Sequence, residues 1–154
     1  MKRILITGKN SYVGNSFEKW LMHYPDQFHV DKISVRDDTW KVYDFSHYDV
    51  ILHVAGIAHR KETNENKELY YKVNRDLTYE LSKKAKKEGV PHFLFLSSMS
   101  VYGVETGVIK KDTIPKPKTN YGKSKLEAEK LLNNLRDKHF RVTIVRPPMI
   151  YGKN

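Results

Sequence analysis

The sequence predicts an α/β protein with a doubly wound parallel sheet of about six strands. Short β-branched runs alternate along the chain with longer stretches whose apolar residues recur at helical spacing, and this alternation indicates β-α-β units with right-handed crossovers. The run HFLFLSS at 92–98 is apolar almost throughout, as is typical of a parallel strand with helices on both sheet faces. Residues 1–154 are expected to form one domain.

The first third of the chain contains four predicted strands and one predicted helix. KRILITG at 2–8 is a buried strand, and the helix after it ends at the Tyr-Pro pair of 24–25. KISVR at 32–36, WKVYDF at 40–45 and DVILHVAG at 49–56 are predicted as the next three strands. The apolar residues that mark the helix are Val13, Phe17, Trp20, Leu21 and Tyr24.

The rest of the chain adds two helices and two strands. Apolar residues at steps of four predict a long helix that stops at the Gly-Val-Pro of 89–91. After the strand at 92–98, a second helix is predicted over 121–138, and RVTIVR at 141–146 is the sixth strand. The residues at steps of four are Leu69, Val73, Leu77, Leu81 and Ala85.

The chain is strongly basic, with 28 Lys and Arg against 18 Asp and Glu and a net charge of +10. A basic domain can bind nucleic acid, or it can attract a small polyanion such as a nucleotide. SKKAKKE at 82–88 lies on a predicted helix and is expected to be a solvated face. No aromatic RNA-binding motif, zinc-finger spacing or Arg-rich tract is present, so a nucleic-acid partner is not expected.

The sequence is typical of a soluble cytoplasmic protein. It contains no cysteine, no run of about 18 apolar residues and no signal-peptide pattern, and we expect no membrane partner. The chain stops at Asn154, directly after a predicted strand and the turn RPPMIYG. We therefore expect an N-terminal fragment whose substrate domain is absent.

The stretch ITGKNSYVGNSF at 6–17 lies at the first predicted strand-to-helix turn, where a doubly wound sheet binds pyrophosphate. Gly8 would permit the tight turn, and Gly14 would let the helix pack closely on the sheet. Ser11 stands where a third glycine would be expected, and its hydroxyl could bond a phosphate oxygen. Taken alone, this pattern fits an ordinary strand-turn-helix equally well.

A tyrosine and a lysine at i and i+4, Tyr121 and Lys125, would lie on one helix face. An ammonium near a phenol lowers a phenol pKa that is ordinarily about 10, so that the phenolate could act as a base. Ser98, in LSSMS at 96–100, comes at the carboxyl end of a predicted strand, where such sheets bind ligands. The alternative is a partly buried tyrosine beside a surface lysine.

Several motifs occur together in one order: TG-x(5)-G at 7–14, HVAG at 53–56, Asn74, FLSSMSVYG at 95–103, YGKSK at 121–125 and RPPMIYG at 146–152. This order resembles the extended short-chain dehydrogenase/reductase family, in its nucleotide-sugar epimerase/dehydratase branch. The resemblance spans nearly the whole chain and implies a Rossmann-like fold, bound NAD and a nucleotide-sugar substrate. It also implies a homodimer for the full-length protein.

The resemblance implies roles for individual residues. Tyr121 matches the catalytic base, Lys125 its pKa-lowering and ribose-binding partner, and Ser98 the hydroxyl that bonds the reacting group. Asn74 matches a helix asparagine that positions the site, and a buried, satisfied asparagine is the alternative. The remaining positions that match cofactor-binding residues are Gly8, Ser11, Tyr12, Val13, Gly14, Arg36, Asp44, Phe45, Ala55, Gly56 and Pro147.

Two positions depart from the family pattern. Ser11 replaces the second loop glycine, and the predicted second strand ends in Arg36 followed by Asp37. An acidic residue there bonds the ribose 2′-hydroxyl of NAD, whereas arginine accommodates the 2′-phosphate of NADP. NAD is the expected cofactor, and NADP remains open.

The resemblance favours a 4-epimerase, with a 4-ketoreductase or a non-catalytic dinucleotide sensor as alternatives. Family dehydratases carry an Asp-Glu pair where this chain has Met99 and Ser100, so dehydration is not expected. HVAGIAH at 53–59 also resembles epimerases and reductases of capsule and O-antigen pathways, which implies cell-surface polysaccharide synthesis. His53 and His59 have no third ligand at suitable spacing, and no metal is expected.

Overall fold

The computed structural model describes residues 1–58 and 62–152. They form a five-stranded sheet in which every neighbouring pair is parallel. The strands are β1 (Lys2–Thr7), β2 (Phe28–Ile33), β3 (Val50–His53), β4 (His92–Leu96) and β5 (Arg141–Val145). The helices are α1 (Tyr12–Leu21), α2 (Lys67–Tyr71), α3 (Leu77–Lys87) and α4 (Asn120–Leu135). No helix within the described ranges has the length and apolar character needed to cross a membrane.

The strand order is β2-β1-β3-β4-β5. The chain therefore leaves β1 toward one edge of the sheet and returns to the other side of β1 at β3. This reversal creates a crevice at the carboxyl ends of β1 and β3, where open α/β sheets bind ligands. Thr7, at the end of β1, lies beside His53, at the end of β3.

Each face of the sheet is covered by a different set of helices. On one face, Leu5, Ile51 and Phe93 pack with Leu81 of α3 and Leu132 of α4. On the other face, Ile4, Ile6 and Leu52 pack with Leu21 of α1. Burial of these apolar side chains, at about 25 cal/mol per Å², is the main force that holds the helices on the sheet.

The prediction of a strand at 40–45, and hence of six strands, is wrong. A 3₁₀ turn at Asp38–Lys41 occupies the start of this segment. Trp40 and Phe45 are buried in the core, so these aromatic residues reach the core from an irregular segment. The second strand lies at Phe28–Ile33 rather than 32–36, because its register with β1 pairs Lys2 with Phe28 and Thr7 with Ile33.

The long helix predicted from Leu69 onward is present but irregular. A π-helical turn at Lys72–Asp76 separates α2 from α3, and such turns occur often at functional sites. The Thr78 hydroxyl donates to the carbonyl of Asn74 at 2.9 Å within this region. The last helix ends at Leu135, because Arg136 adopts an extended ψ of 138°.

Candidate functional site

The turn after β1 is shaped by Gly8. Its φ of +118° is accessible mainly to glycine, and a Cβ there would lie 3.0 Å from the backbone nitrogen of Ala55. The N–H groups of Gly8 and Lys9 both donate to the carbonyl of Ile33, at 3.0 and 3.1 Å. The turn is therefore fixed between the ends of β2 and β3, in the crevice of the sheet.

Ser11 is the N-cap of α1. Its hydroxyl oxygen accepts the N–H of Gly14 at 2.9 Å, which is the usual bond of a capping serine. A Cβ on Gly14 would meet Cγ2 of Ile6 at 3.0 Å, so this glycine lets α1 pack closely on β1. Serine at position 11, where a glycine was expected, therefore caps the first turn of α1 at this strand-to-helix junction.

The N-terminus of α1 faces an open cleft. The first N–H groups of a helix have no intrahelical acceptor and lie at the positive end of its dipole. Tyr12 and Val13, the first two residues of α1, line the cleft together with Ser11. This arrangement suits an anionic group such as phosphate.

Ser98 lines the same cleft and lies shortly after the end of β4. It caps the 3₁₀ turn at Met99–Tyr102, and its oxygen accepts the N–H of Ser100 at 3.1 Å. The Ser98 hydroxyl also donates to the Ser100 hydroxyl at 3.0 Å. Ser98 is nearly buried, so its hydroxyl has a fixed position at the strand end.

Lys125 enters the cleft from α4 and is almost completely buried. Its ammonium donates to the carbonyl of Leu96 at 2.9 Å and lies 4.7 Å from the ring centre of Phe95. A Cβ on Gly56 would come within 3.1 Å of the Lys125 Nζ. Burial lowers the pKa of Lys125 to about 8, while the nearby charge of Glu129 acts in the opposite direction.

Tyr121 lies one helical turn before Lys125 and lines the same cleft. Burial raises the pKa of the Tyr121 phenol, and a hydrogen bond with Ser98 opposes this rise. The sequence led us to expect that Lys125 lowers this pKa. In the structure burial outweighs the opposing interaction, so Tyr121 is a neutral phenol at pH 7.

Asn74 connects three parts of the site. It is fully buried in the π-helical turn. Its side chain accepts from the N–H of Ile57 at 2.8 Å and donates to the carbonyl of Ile57 at 3.0 Å. It also donates to the hydroxyl of Ser124 on α4 at 3.2 Å. Asn74 therefore holds the segment after β3 against the helix that carries Tyr121 and Lys125.

The cleft has a volume of about 610 Å³. It brings together most of the predicted cofactor-binding and catalytic residues from five separate segments of the chain. Among those residues, Ser11, Tyr12, Val13, Gly56, Ser98, Tyr121, Lys125 and Pro147 line it. Ala55 lies behind the lining and donates its N–H to the carbonyl of Thr7 at 3.0 Å.

Seven predicted cofactor residues are not part of this lining: Gly8, Gly14, Arg36, Asp44, Phe45, Ala55 and Asn74. Phe45 has no exposed surface, and its N–H donates to Glu88 at 2.7 Å, so its side chain belongs to the core. Asp44 is exposed and accepts the N–H of Ser46 at 2.8 Å. Arg36 is exposed in the segment after β2.

His53 is fully buried between hydroxyl groups. Thr78 gives its proton to Asn74, so it accepts from Nε2–H of His53 at 2.9 Å, and Thr7 donates to Nδ1 at 2.6 Å. Burial, with help from the charge of Lys125, lowers the pKa of His53 to about 3. His59 lies outside the described residues. Within those residues no group of three potential metal ligands occurs.

Other residues at the site were not predicted from the sequence. The Glu62 carboxylate accepts the N–H groups of Asn120 and Tyr121, at 2.9 and 3.0 Å, and so caps α4. Met149 and Ile150 line the cleft on the side of Pro147. Glu129 is buried four residues beyond Lys125, and this spacing alone could have placed it on the same helix face.

An open parallel sheet with a capped helix N-terminus at its strand reversal defines a nucleotide-binding domain of the Rossmann type. The profile of the "NAD dependent epimerase/dehydratase family" matches residues 4–154. The chain belongs to this family.

Individual relatives agree with this assignment. The UDP-glucose 4-epimerase of Vibrio cholerae is 34% identical over 98% of this chain and 52% of its own length. The N-acetyl-alpha-D-glucosaminyl-diphospho-ditrans,octacis-undecaprenol 4-epimerase of Escherichia coli O157:H7 is 29% identical over 98% of this chain and 46% of its own length. The chain thus spans about half the length of these curated relatives.

The fold is also that of a solved structure. The UDP-glucuronic acid 4-epimerase of Bacillus cereus, in complex with NAD, superposes with a TM-score of 0.82 at 24% identity. The match covers 97% of this chain and 58% of the Bacillus protein. At this identity the similarity demonstrates the shared fold.

Proposed function

We propose that this chain is the cofactor-binding part of a nucleotide-sugar 4-epimerase that binds NAD in the cleft between α1 and α4. The observation that carries the proposal is the convergence of Ser98, Tyr121 and Lys125 on a cleft that also holds the α1 N-terminus. The relatives named above are 4-epimerases of sugars linked to a diphosphate.

The residues of the cleft fit a dinucleotide. Gly8 and Gly14 leave space that a Cβ would fill against Ala55 and Ile6, so backbone can approach a pyrophosphate at the turn. Gly56 is exposed at the floor of the cleft, and a Cβ there would lie 3.0 Å from the Asn74 side-chain oxygen. The crevice at the ends of β1 and β3 is the position at which this sheet topology holds such ligands.

Arg36 and Asp37 bear on the choice between NAD and NADP. The Asp37 carboxylate accepts both the N–H and the hydroxyl of Thr39, at 3.0 and 2.5 Å, and these bonds lower its pKa. Asp37 is therefore already engaged as a cap, whereas Arg36 has no ion-pair partner in the described part of the chain. NADP is the second candidate cofactor for this reason.

In the proposed reaction Tyr121 takes the proton of the sugar 4-hydroxyl, and Ser98 holds that hydroxyl by a hydrogen bond. A bound nicotinamide supplies the reversible acceptor for the hydride of the same carbon. Burial favours the neutral phenol of Tyr121, so the phenolate that acts as the base must form against this effect. The Lys125 ammonium, charged below about pH 8, would stabilise that phenolate. Tyr121 would return its proton to the 4-oxygen once the keto group is reduced again, which completes epimerisation when the new hydroxyl lies on the other face.

The same residues would serve a 4-ketoreductase, which uses one half of this cycle. Met99 and Ser100, which follow Ser98, offer no carboxylate for the elimination of water. The likeness of HVAGIAH to capsule and O-antigen enzymes supports a role in cell-surface polysaccharide synthesis. We place this role in the cytoplasm, where nicotinamide cofactors and nucleotide sugars are made, and we expect a homodimer for the full-length protein.

Cofactor binding is the direct test of the proposal. We expect weak NAD binding by calorimetry, and we expect Gly8→Ala to abolish it because the added Cβ would meet the backbone of Ala55. Gly107→Ala is the matched control, since Gly107 has a similar φ of +124° but its nearest neighbour is a Val104 methyl at 3.8 Å. Failure of the unmodified chain to bind either NAD or NADP would refute the proposal.

Turnover separates the enzyme from a dinucleotide sensor. In the full-length protein, Tyr121→Phe should lose most epimerisation of UDP-hexoses, by about 100-fold or more, and should still bind NAD. Residues 1–154 alone are expected to give no turnover, because relatives contain about twice as many residues. Unchanged turnover after Tyr121→Phe would contradict the assignment of the base.

A further inference from the structure

A buried ion pair lies behind the cleft. Glu129 of α4 is 2% exposed, and its carboxylate accepts three bonds from the guanidinium of Arg146. Nε of Arg146 donates to both Glu129 oxygens at 3.0 and 3.2 Å, and Nη2 donates to Oε2 at 2.5 Å. Such a bidentate pair fixes direction as well as distance, so it joins α4 firmly to the end of β5.

The same pair holds the chain on both sides of Ser98. The Ser97 hydroxyl donates to Oε1 of Glu129 at 2.5 Å. After Ser98, Tyr102 accepts from Nη1 of Arg146 at 2.7 Å, and the guanidinium lies 4.9 Å from the Tyr102 ring centre. The residue before Ser98 and the turn after it are therefore both anchored to one buried ion pair.

Backbone bonds complete this arrangement. The N–H of Ser97 donates to the carbonyl of Val145 at 2.7 Å, and the N–H of Met99 donates to the carbonyl of Pro147 at 3.0 Å. Ser98 thus lies between two anchored neighbours, and Pro147 of the cleft lining is held by the second of these bonds. Movement of Ser98 relative to α4 would break several bonds at once.

Glu129 also acts on the charge of the site. It lies one helical turn after Lys125 and two turns after Tyr121, and its negative charge counteracts the lowering of the Lys125 pKa by burial. Within the part of the chain that the structure describes, His53 also interacts with the charge of Lys125, and His53 is neutral because burial lowers its pKa to about 3. Glu129 is the anion that supports the ammonium from within the fold.

We propose that Glu129 and Arg146 form a positioning clamp that holds Ser98 in register with Tyr121 and Lys125 for proton transfer. This inference rests on the proposed function, because it assigns these two residues to the same reaction. Neither residue touches the reacting atoms, so both are positioning residues. A surface ion pair on the same helix would not have this effect.

The test compares Glu129→Gln with Glu127→Gln. Glu127 lies on the same helix and forms an ion pair with Arg75 at 2.8 Å, at a partly exposed site. In the full-length enzyme we expect Glu129→Gln to lower kcat by about tenfold or more, with little change in KM and NAD affinity, while Glu127→Gln stays close to the unmodified protein. The clamp would be overturned if Glu129→Gln and Glu127→Gln had the same kcat, or if Glu129→Gln lowered NAD affinity and kcat in parallel.

A second measurement does not depend on turnover. In the isolated chain, an NMR titration of the lysine side chains, with Lys125 assigned through Lys125→Arg, should show that Glu129→Gln lowers the Lys125 pKa and that Glu127→Gln does not. An unchanged Lys125 pKa would refute the clamp's electrostatic support even if the unmodified protein proved unable to bind NAD.

Tyr102→Phe covers the case in which Glu129→Gln does not fold. It removes the bond from Arg146 to the Tyr102 hydroxyl and keeps the ring against the guanidinium. We expect kcat to fall by about threefold to tenfold with NAD affinity unchanged. An unaltered kcat in this variant would contradict the anchoring of the turn after Ser98.

Discussion

His53 shows how a single residue at the site depends on its surroundings. It is fully buried beneath the cleft, and both ring nitrogens are bonded to threonine hydroxyls. Because Thr78 donates to Asn74, only the neutral Nε2–H tautomer satisfies every group in this chain of bonds. Protonation of the ring would place a charge in the core and remove the acceptor of the Thr7 hydroxyl.

This histidine should make the fold sensitive to acid. The pKa of His53 is about 3 in the folded protein and near 6.5 when unfolded. Between these two values the unfolded state binds the extra proton, so the free energy of unfolding should fall by about 1.4 kcal/mol for each unit of pH lowered. Urea titrations of the unmodified protein and His53→Gln from pH 7 to pH 4 measure this contribution as a difference in slope.

Exposed His23, replaced in the same way, is the matched control for the loss of a histidine. If His53→Gln and His23→Gln gave the same dependence of stability on pH, the neutral buried state of His53 would be disproved.

Helix α4 is the element that organises the catalytic side of the cleft. Thr119 and Glu62 accept the N–H groups of its first turn. Its Gly122 packs against the 3₁₀ turn after Ser98 so closely that a Cβ would lie 2.5 Å from the carbonyl oxygen of Ser100. The helix begins where it does because side chains cap it, and it approaches Ser98 because Gly122 carries no side chain.

Gly122→Ala should therefore destabilise the protein, although alanine normally stabilises a helix by about 1 kcal/mol relative to glycine. The clash with a backbone oxygen is expected to cost about 1–3 kcal/mol and to move α4 away from Ser98. Denaturant unfolding measures the change. Asn134→Ala, at an exposed position of the same helix, is the control and should be neutral or slightly stabilising. If Gly122→Ala raised the free energy of unfolding, the close contact between α4 and the turn after Ser98 would be contradicted.

The predicted elements differ in how well the sequence defined them. β1, β3, β4 and β5 lie within predicted strands, since each is a short apolar run that ends at a change of composition. The segment at 40–45 misled the prediction because it is a short run rich in aromatic and β-branched residues. Trp40 and Phe45 enter the core from a 3₁₀ turn and a loop, while Val42 between them is exposed. A short apolar run can therefore supply buried residues without forming a strand.

At the scale of the whole molecule, apolar surface collects at the carboxyl end of β5. Val145, Met149, Ile150 and Tyr151 are exposed, with 89% of Tyr151 accessible to solvent. β5 is also an edge strand of the sheet, and unpaired edges associate readily.

The isolated chain should therefore self-associate through this surface at raised concentration. Replacing Met149 and Tyr151 together by lysine should weaken association by about tenfold or more, as measured by sedimentation velocity over a series of concentrations. Val42→Lys is the matched control, because Val42 is equally exposed, at 89%, and lies in the segment between β2 and β3, outside the apolar surface after β5. Association that responds to Val42→Lys and not to the double substitution would place the contact elsewhere.

The sequence by itself determined the class of sheet, the turn between Gly8 and Gly14, and the pairing of Tyr121 with Lys125 one turn apart on a helix. These features follow from spacing along the chain, because strand ends, caps and i,i+4 neighbours are local. Only the tertiary structure decided that Phe45 belongs to the core, that the Ser11 hydroxyl caps α1, that burial raises the Tyr121 pKa, and that Glu129 meets Arg146 behind Ser98. Burial and ion pairing depend on residues that are distant in the chain and adjacent in space, so local sequence patterns do not predict them.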